Sequence, residues 1–331
     1  MEPVSLTVLF CTFHAQDRLL RLTQDFVDIN WSLAASPDEV AARLPDANIL
    51  ILNNRICTPE LGTAIRNAKR SKLGWIHFVT AGVEMGLAMG LPRNIFVTSA
   101  AGTNGPVLAE HAMTLLLASM RRFGDIHRGQ VAHEWRRLKI FQAIRSLEGA
   151  RVCILGLGSV GREVARKLRA FDADVIAISR GGSDPNISQV YPRTQIAVAL
   201  AQSDALVICT NSDSSTYHLI GAAELAAMKP GAFIVNMARG EIIDEKALIE
   251  ALRIGQIAGA GLDVTEGEPP MVDNPLWDLP SVILSPHVSG GGSGEPAYQR
   301  QAELFRDNLQ RFVNGGPMRN LVDLAQDESY L

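Results

Sequence analysis

The sequence has few cysteines, no excess of basic residues and no long apolar run. Its four cysteines, Cys11, Cys57, Cys153 and Cys209, show no CxxC spacing, which argues against a disulfide framework and against a zinc site. The balance of 31 basic and 35 acidic residues gives a net charge of −4, so the chain lacks the electrostatic signature of nucleic-acid binding. Apolar runs such as 113–120 are far shorter than the roughly 20 residues that span a bilayer. We therefore expect neither a nucleic-acid nor a membrane partner.

The N-terminus also lacks a basic region followed by an apolar stretch, so we infer no signal peptide. Together with the unpaired cysteines, this predicts a cytoplasmic protein with reduced thiols. His127 and His133 do not have the i, i+4 spacing that places two ligands on one helical face, and we expect no metal. A chain of 331 residues, at about 150 residues per domain, predicts two domains.

Short β-branched runs alternate with segments of helical period, which is typical of α/β folds with doubly wound parallel sheets. The segment 105–123 predicts a helix between two such series, and Glu295–Asn314 predicts a last helix that ends at a glycine stop. The first series of predicted strands is Leu6–Phe10, Ile49–Leu52, Trp75–Val79 and Ile95–Thr98. The second is Arg151–Leu155, Asp174–Ser179, Ala205–Cys209, Ala232–Asn236, Ala258–Leu262 and Val282–Leu284.

A G-x-G-x-x-G motif follows the first strand of the second series and opens a helical segment. It reads Gly156-Leu157-Gly158-Ser159-Val160-Gly161. In such motifs the first glycine permits a tight turn, the second lets the backbone approach a pyrophosphate, and the third lets the helix pack close to the strand. The helix N-terminus adds partial positive charge and free N–H groups for the anion. The sequence therefore predicts a dinucleotide site here.

The end of the next strand lacks the carboxylate that commonly binds the ribose 2′-hydroxyl of NAD. Ser179 and Arg180 stand there instead, followed by Gly181 and Gly182. A carboxylate would repel a 2′-phosphate, whereas Arg180 can form charge-assisted hydrogen bonds with one and Ser179 can donate another. We therefore expect NADP to be preferred, with NAD as the alternative.

Three ionisable residues come at or just after the ends of later strands, where open α/β sheets place their ligands. They are Arg239, Glu268 and His287. Together they can form an acid–base set, in which the arginine clamps a carboxylate and polarises a carbonyl, the histidine moves a proton, and the glutamate holds the histidine.

At this point the order and spacing of the motifs resemble the D-isomer-specific 2-hydroxyacid dehydrogenase family. The resemblance is carried by the glycine fingerprint, Met237–Gly240, the 262–269 run and Ser285-Pro286-His287. It implies two Rossmann-like domains with the active site in the cleft between them. Residues 1–100 plus 292–331 would form a flavodoxin-like substrate-binding domain, and residues 101–291 the dinucleotide-binding Rossmann domain.

The resemblance also implies residue roles. Arg239 would be the substrate arginine, Glu268 the partner of the histidine, and His287 the acid–base catalyst. Ala81, Gly82 and Val83 would receive the substrate carboxylate, chiefly through the backbone N–H groups of the last two. Cofactor contacts outside the glycine fingerprint would come from Ser179, Arg180, Cys209, Thr210, Ala238, Asp263 and His287. A homodimer through the Pro106 helix and the arm 124–148 is likewise implied.

The leading functional hypothesis is an NADP-preferring reductase that converts small 2-keto acids, of the glyoxylate and hydroxypyruvate type, to D-2-hydroxy acids. An NAD-linked phosphoglycerate dehydrogenase is the alternative enzyme; against it stand the missing ribose carboxylate at Ser179 and the lack of room for a regulatory domain after Asp323. A dinucleotide-sensing corepressor is the alternative from another class. A sensor needs no complete proton relay, so the presence of all three ionisable residues favours catalysis.

Overall fold

A computed structural model describes residues 6–11, 29–68 and 72–324 of the chain. The chain divides into two compact units. The first takes its residues from before Asn104 and from Ser293 onward, and the second is Asn104–Gly292.

The described residues form strands and helices that alternate along much of the chain. The strands are β1 (Leu6–Cys11), β2 (Ile29–Leu33), β3 (Ile49–Leu52), β4 (Trp75–Phe78), β5 (Phe96–Ser99), β6 (Arg151–Leu155), β7 (Asp174–Ile178), β8 (Gln189–Tyr191), β9 (Ala205–Ile208), β10 (Ala232–Asn236), β11 (Ile257–Leu262) and β12 (Val282–Leu284). The helices are α1 (Pro37–Arg43), α2 (Pro59–Asn67), α3 (Glu84–Leu87), α4 (Gly105–Met120), α5 (Phe123–Val131), α6 (Arg137–Ala143), α7 (Ser159–Ala170), α8 (Ile196–Ala201), α9 (Ala222–Ala227), α10 (Glu245–Arg253) and α11 (Glu295–Val313).

The first unit is built on a parallel sheet with the strand order β2-β1-β3-β4-β5. Strand β3 is buried along its whole length, as expected where helices cover both faces of a parallel sheet. Because successive side chains point to opposite faces, Ile49 and Ile51 pack with Phe305 of α11. Leu50 and Leu52 belong to the cluster on the other face, which includes residues of α1 and α2.

The second unit is built on a larger parallel sheet with the order β12-β11-β10-β9-β6-β7-β8. The first strand of this sheet along the chain, β6, lies in its interior. The next two strands, β7 and β8, extend the sheet to one edge, and β9 then pairs with the other side of β6. Helices α4 and α7 pack on the face that carries Val152 and Ile154. Helices α8, α9 and α10 pack on the face that carries Cys153 and Leu155. The reversal between β6 and β9 is the switch point at which doubly wound sheets bind ligands.

The predicted α/β class with two doubly wound parallel sheets is confirmed, but two strands were not predicted. Strands β2 and β8 both lie at sheet edges and are only partly buried, so they lack the continuous apolar runs that reveal interior strands. The predicted helix 105–123 also ends earlier, at Met120, because Arg122 adopts a left-handed φ of 60° before α5 begins. Within the described ranges, no helix combines the length and apolar character needed to span a bilayer.

A neutral histidine lies in the core of the first unit. His77 is 1% exposed, and its Nδ1 lies 2.8 Å from Thr98 Oγ1, which also accepts a hydrogen bond of 2.8 Å from Trp75 Nε1. The ring of Phe305 packs edge-on against the imidazole. Burial lowers the pKa of His77 from 6.5 to about 3, because the charged imidazolium would lose its hydration.

This burial predicts an acid-sensitive fold. Between pH 6.5 and about 3, the unfolded chain binds a proton at His77 and the folded chain does not, so the free energy of unfolding falls with falling pH, by up to about 1.4 kcal/mol per unit from this group. Replacing His77 with Asn keeps a hydrogen-bond acceptor but removes the titration. Urea unfolding from pH 8 to pH 4 should show a shallower slope for His77→Asn than for the wild type.

Thr98→Val is the matched control for this measurement. It removes the hydrogen-bond partner while His77 stays buried, so it should lower stability at every pH and keep the wild-type slope. Equal slopes for His77→Asn and the wild type would contradict the assignment.

Candidate active site

The glycine fingerprint lies at the switch point of the second unit. Gly156 has a left-handed φ of 100°, and a Cβ there would lie 2.8 Å from the backbone N and Cα of Thr210. A Cβ on Gly161 would collide with the carbonyl oxygen of Gly156, whereas a Cβ on Gly158 would meet no protein atom within 4 Å. The first and third glycines are therefore required by packing within the protein, and the second faces open space.

That open space lies at the N-terminus of α7. The N-cap residue of this helix is Gly158, so no side chain accepts hydrogen bonds from the first N–H groups. The helix begins with Ser159 and Val160. Leu157 is buried beneath the turn. Uncapped N–H groups and a free approach at Gly158 are what a pyrophosphate needs, so these residues fit a dinucleotide.

The loop after β7 carries the predicted 2′-phosphate residues. Ser179 is held by its N–H, which donates to Tyr191 O at 3.0 Å, and its hydroxyl donates to Gly181 O at 3.0 Å. Arg180 is exposed. The carboxylate of Asp184 accepts from Arg162 at 3.0 Å, and the N–H of Asn186 is the largest cause of the lowered pKa of Asp184. This acidic group is therefore already paired.

The loop after β9 lies on the other side of the fingerprint. Cys209 donates its N–H to Leu155 O at 2.8 Å, which aligns Thr210 beside Gly156. Burial raises the pKa of the Cys209 thiol to about 12, so the sulfur stays protonated and unreactive. Cys209 and Thr210 thus form a wall of the cradle.

Arg239 follows β10 in a turn that is stabilised by hydrogen bonds to the buried side-chain amide of Asn236. The side chain of Asn236 donates to Arg239 O at 2.9 Å, and its carbonyl oxygen accepts from Ala238 N at 3.0 Å. The guanidinium of Arg239 donates to Ala238 O at 2.7 Å. Ala238 and Arg239 are therefore fixed at the carboxyl end of the strand.

Glu268 and His287 form a hydrogen-bonded pair after β11 and β12. His287 Nδ1 lies 2.6 Å from Glu268 Oε2, and both side chains are exposed, at 48% and 38% respectively. An ionised carboxylate only accepts hydrogen bonds, so Nδ1 is the donor, and Nε2 is left for another partner. The pairing expected from the sequence is present.

The loop that carries His287 is organised by one buried carboxylate, that of Asp263. His287 has a strained φ of 51°, and its N–H donates to Asp263 O at 2.9 Å. Asp263 Oδ1 accepts from the Ser285 hydroxyl at 2.5 Å and from Val288 N at 3.0 Å, while Oδ2 accepts from Ser289 N at 2.9 Å. Burial alone would raise the pKa of Asp263, but these hydrogen bonds outweigh it and lower the pKa.

His111 on α4 completes this network and was not among the predicted site residues. Its Nε2 lies 3.0 Å from Ser285 Oγ and 3.2 Å from Asp263 Oδ1. Because the Ser285 hydroxyl donates its one hydrogen to Asp263, Nε2 is the donor to Ser285. The only sequence signal was a polar pair, Glu110 and His111, on an otherwise apolar helix.

Ala81, Gly82 and Val83 belong to the other unit, where they follow β4. The hydroxyl of Thr80 donates to Gly82 O at 2.7 Å, which closes a tight turn before α3. Their part in substrate binding stays a prediction.

Comparison with known proteins decides the family. A sequence profile described as "D-isomer specific 2-hydroxyacid dehydrogenase, NAD binding domain" matches residues 113–289. The chain belongs to this family. The matched residues lie within the second unit, which therefore contains the NAD-binding domain of this family, and the family resemblance seen in the sequence is confirmed.

Relatives in the family carry different names. A glyoxylate reductase of Thermococcus gammatolerans is 33% identical over 84% of this chain and 83% of its own length. A D-3-phosphoglycerate dehydrogenase of Archaeoglobus fulgidus is 32% identical over 91% of this chain, which spans only 56% of that relative. A solved D-isomer specific 2-hydroxyacid dehydrogenase of Xanthobacter autotrophicus, in complex with NADPH and MES, is 26% identical with a TM-score of 0.79, covering 97% of this chain and 99% of that one.

Substitutions of the two glycines near the start of α7, Gly158 and Gly161, should have different effects. Gly158→Ala adds a methyl group where the protein has no atom, so the fold should be retained while the dissociation constant for NADPH rises by about tenfold or more, a loss of at least about 1.4 kcal/mol. Gly161→Ala meets the backbone of Gly156 and should lower the free energy of unfolding by about 1–3 kcal/mol, as overpacking does.

Thermal unfolding and titration of NADPH fluorescence measure the two effects separately. The assignment is contradicted if Gly158→Ala binds NADPH as tightly as the wild type, or if it loses as much stability as Gly161→Ala.

Proposed function

We propose that this protein is an NAD(P)H-dependent reductase that converts small 2-keto acids, of the glyoxylate and hydroxypyruvate type, to D-2-hydroxy acids. The observation that carries the proposal is the 2.6 Å pair of His287 and Glu268, on the sheet edge that also bears Arg239 and the dinucleotide cradle. A dinucleotide alone needs no such proton relay.

The roles of the residues follow from their chemistry. When bound, the reduced nicotinamide supplies the hydride that the substrate carbon accepts. Arg239 clamps the substrate carboxylate and stabilises the charge that develops on the keto oxygen. His287, with Nδ1 donating to Glu268, gives that oxygen the proton on Nε2. Oxidation of the hydroxy acid reverses the proton transfer.

Further contacts complete the proposal. The backbone N–H groups of Gly82 and Val83, with Ala81, receive the substrate carboxylate. Ala238 and Asp263 line the nicotinamide pocket, where the Asp263 carboxylate also holds the His287 loop. Cys209 and Thr210 lie beside the adenosine.

The cofactor we propose is NADP in preference to NAD. The ribose loop offers the exposed cation Arg180 and the hydroxyl of Ser179, and the nearby Asp184 is paired with Arg162. The guanidinium of Arg180 can bind a 2′-phosphate, and position 179 carries a serine in place of a carboxylate that would repel it. The solved relative in complex with NADPH supports the same choice.

An NAD-linked phosphoglycerate dehydrogenase is the second candidate. The Archaeoglobus fulgidus relative of that name supports it. The missing ribose carboxylate at Ser179 speaks against it. A dinucleotide-sensing corepressor has no use for the complete set of Arg239, Glu268 and His287.

The wild-type protein should oxidise NADPH when offered 2-keto acids, with glyoxylate and hydroxypyruvate among the best substrates and a higher kcat/KM for NADPH than for NADH. His287→Gln should lower kcat by roughly 10²–10⁴, the usual effect of losing a general acid. The decrease in absorbance at 340 nm measures both.

Thermal unfolding of His287→Gln should match the wild type, which separates lost proton transfer from lost folding. Arg311→Gln, a change at a half-buried position of α11 in the other unit, should keep wild-type kcat. Near-normal kcat in His287→Gln would remove the histidine from the chemistry, and a clear preference for NADH would overturn the cofactor assignment.

We also propose a cytoplasmic homodimer formed through the Pro106 helix, α4, and the arm 124–148. The arm leaves three large apolar side chains exposed within seven residues, Trp135 at 92%, Leu138 at 72% and Phe141 at 67%, and exposed apolar surface of this kind marks interfaces. The free thiols of Cys57 and Cys153 suit a reducing compartment.

Sedimentation velocity should therefore show a species of twice the chain mass. The double change Leu138→Glu and Phe141→Glu should convert it to the monomer, because burying two carboxylates in an apolar contact is costly. A monomeric wild type would contradict the proposal.

A further inference from the structure

A second histidine–carboxylate pair lies among the loops of the second unit. His218, in the loop after β9, places Nε2 at 2.7 Å from Oε1 of Glu266, in the loop after β11. The two side chains are 31% and 35% exposed. Neither residue belongs to the predicted site, and neither is used in the proposed chemistry.

The backbone of His218 is tied to the segment that carries Arg239. His218 N donates to Glu241 O at 2.8 Å, two residues beyond the arginine. The residue has a left-handed φ of 48°, which a non-glycine residue adopts only at a cost. Its ring stacks on Tyr217, with centroids 4.0 Å apart. The backbone hydrogen bond and the stacking on Tyr217 therefore hold the His218 ring in one orientation.

Glu266 belongs to the loop that ends at Glu268, the partner of His287. Its N–H donates to Glu245 Oε2 at 3.1 Å, and the other oxygen of Glu245 accepts from Asn274 at 2.7 Å. This loop also packs tightly against the Arg239 segment, since a Cβ on Gly240 would collide with the backbone of Thr265.

The geometry points to His218 and Glu266 as positioning residues for the reaction, joining the segment of Arg239 to the loop of Glu268. This inference rests on the proposed reductase function. His218 contacts one segment through its backbone and the other through its ring, so it fixes the spacing between the substrate arginine and the carboxylate that orients His287. The pair acts through these groups and does not touch the reacting atoms.

The contact between His218 and Glu266 can restrain the loop that carries Glu268. Glu266 and Glu268 are exposed, so burial does little to hold their side chains, and catalytic groups need to stay within about 0.5 Å of their productive positions. Exposed ion pairs contribute little to global stability. The effect of the pair should therefore appear in the chemistry and in the local motion of the loop, with little change in the unfolding transition.

Alanine substitutions test the coupling. His218→Ala and Glu266→Ala should each lower kcat by about 10- to 100-fold, the scale of a small misplacement of catalytic groups, with KM for NADPH unchanged. The double variant should be no slower than the slower single variant, because both remove one link. His218→Gln keeps an N–H donor for Glu266 and should recover most of the lost kcat.

Lys229→Ala is the matched control. It breaks the 2.8 Å ion pair of Lys229 and Asp204, whose side chains are 41% and 39% exposed, at the amino ends of the strands. It should leave kcat unchanged.

Hydrogen–deuterium exchange gives a readout that needs no turnover. Amides 264–268 should exchange faster in His218→Ala than in the wild type and in Lys229→Ala, while the thermal midpoints of all three agree. If the wild type reduces no 2-keto acid, the proposed reductase function fails, and the exchange rates alone decide whether the pair anchors the loop.

The positioning role is overturned by unchanged exchange in His218→Ala, by single-variant effects that multiply in the double variant, or by a kcat in His218→Gln as low as in His218→Ala. Faster exchange together with a non-additive loss of kcat supports it.

Discussion

Strands β10, β11 and β12 end in register, and the proposed chemistry depends on that alignment. Asn236 lies beside Leu262, and Leu262 beside Leu284. Each of the three strands ends at this level, and within a few residues of the strand ends come Arg239, Glu268 and His287. Because all strands of the sheet are parallel, the same edge also receives the glycine cradle after β6. The topology thus places the glycine cradle and the hydrogen-bonded pair of His287 and Glu268 at one border of one sheet.

The alignment of strand ends does not by itself orient a histidine on an exposed loop. Hydrogen bonds between Asp263 and the loop of His287 fix that orientation. A buried carboxylate is costly unless hydrogen bonds compensate it, and here the donors come from the loop of His287 itself, namely Ser285, Val288 and Ser289. His111 on α4 supports this loop through Ser285. Moving the loop away would leave the charge desolvated. The strained φ of His287 can persist for the same reason. The buried charge of Asp263 therefore stabilises the conformation of His287 on which the proposed proton transfer depends.

The sequence predicted the parts of the molecule that depend on local pattern. Buried strands appear as continuous apolar runs, and the glycine motif and Arg239 come directly after such runs. The edge strands β2 and β8 were missed because a half-exposed strand has no such run. The contact of His111 with Ser285 spans 174 residues, and that of His218 with Glu266 spans 48. Both depend on helix packing and on left-handed loop residues, which apolar periodicity does not encode.

The proposed chemistry requires one sheet edge to bring both a hydride donor and a proton donor to the same substrate. Its most direct test uses NADPH with deuterium at both C4 positions of the nicotinamide, with hydroxypyruvate as substrate and the wild-type protein. Mass spectrometry and chiral chromatography of the product then locate the label and the configuration. The expected product is D-glycerate, with one deuterium at C2 for each labelled cofactor oxidised. Unlabelled product, L-glycerate, or no product at all would contradict it.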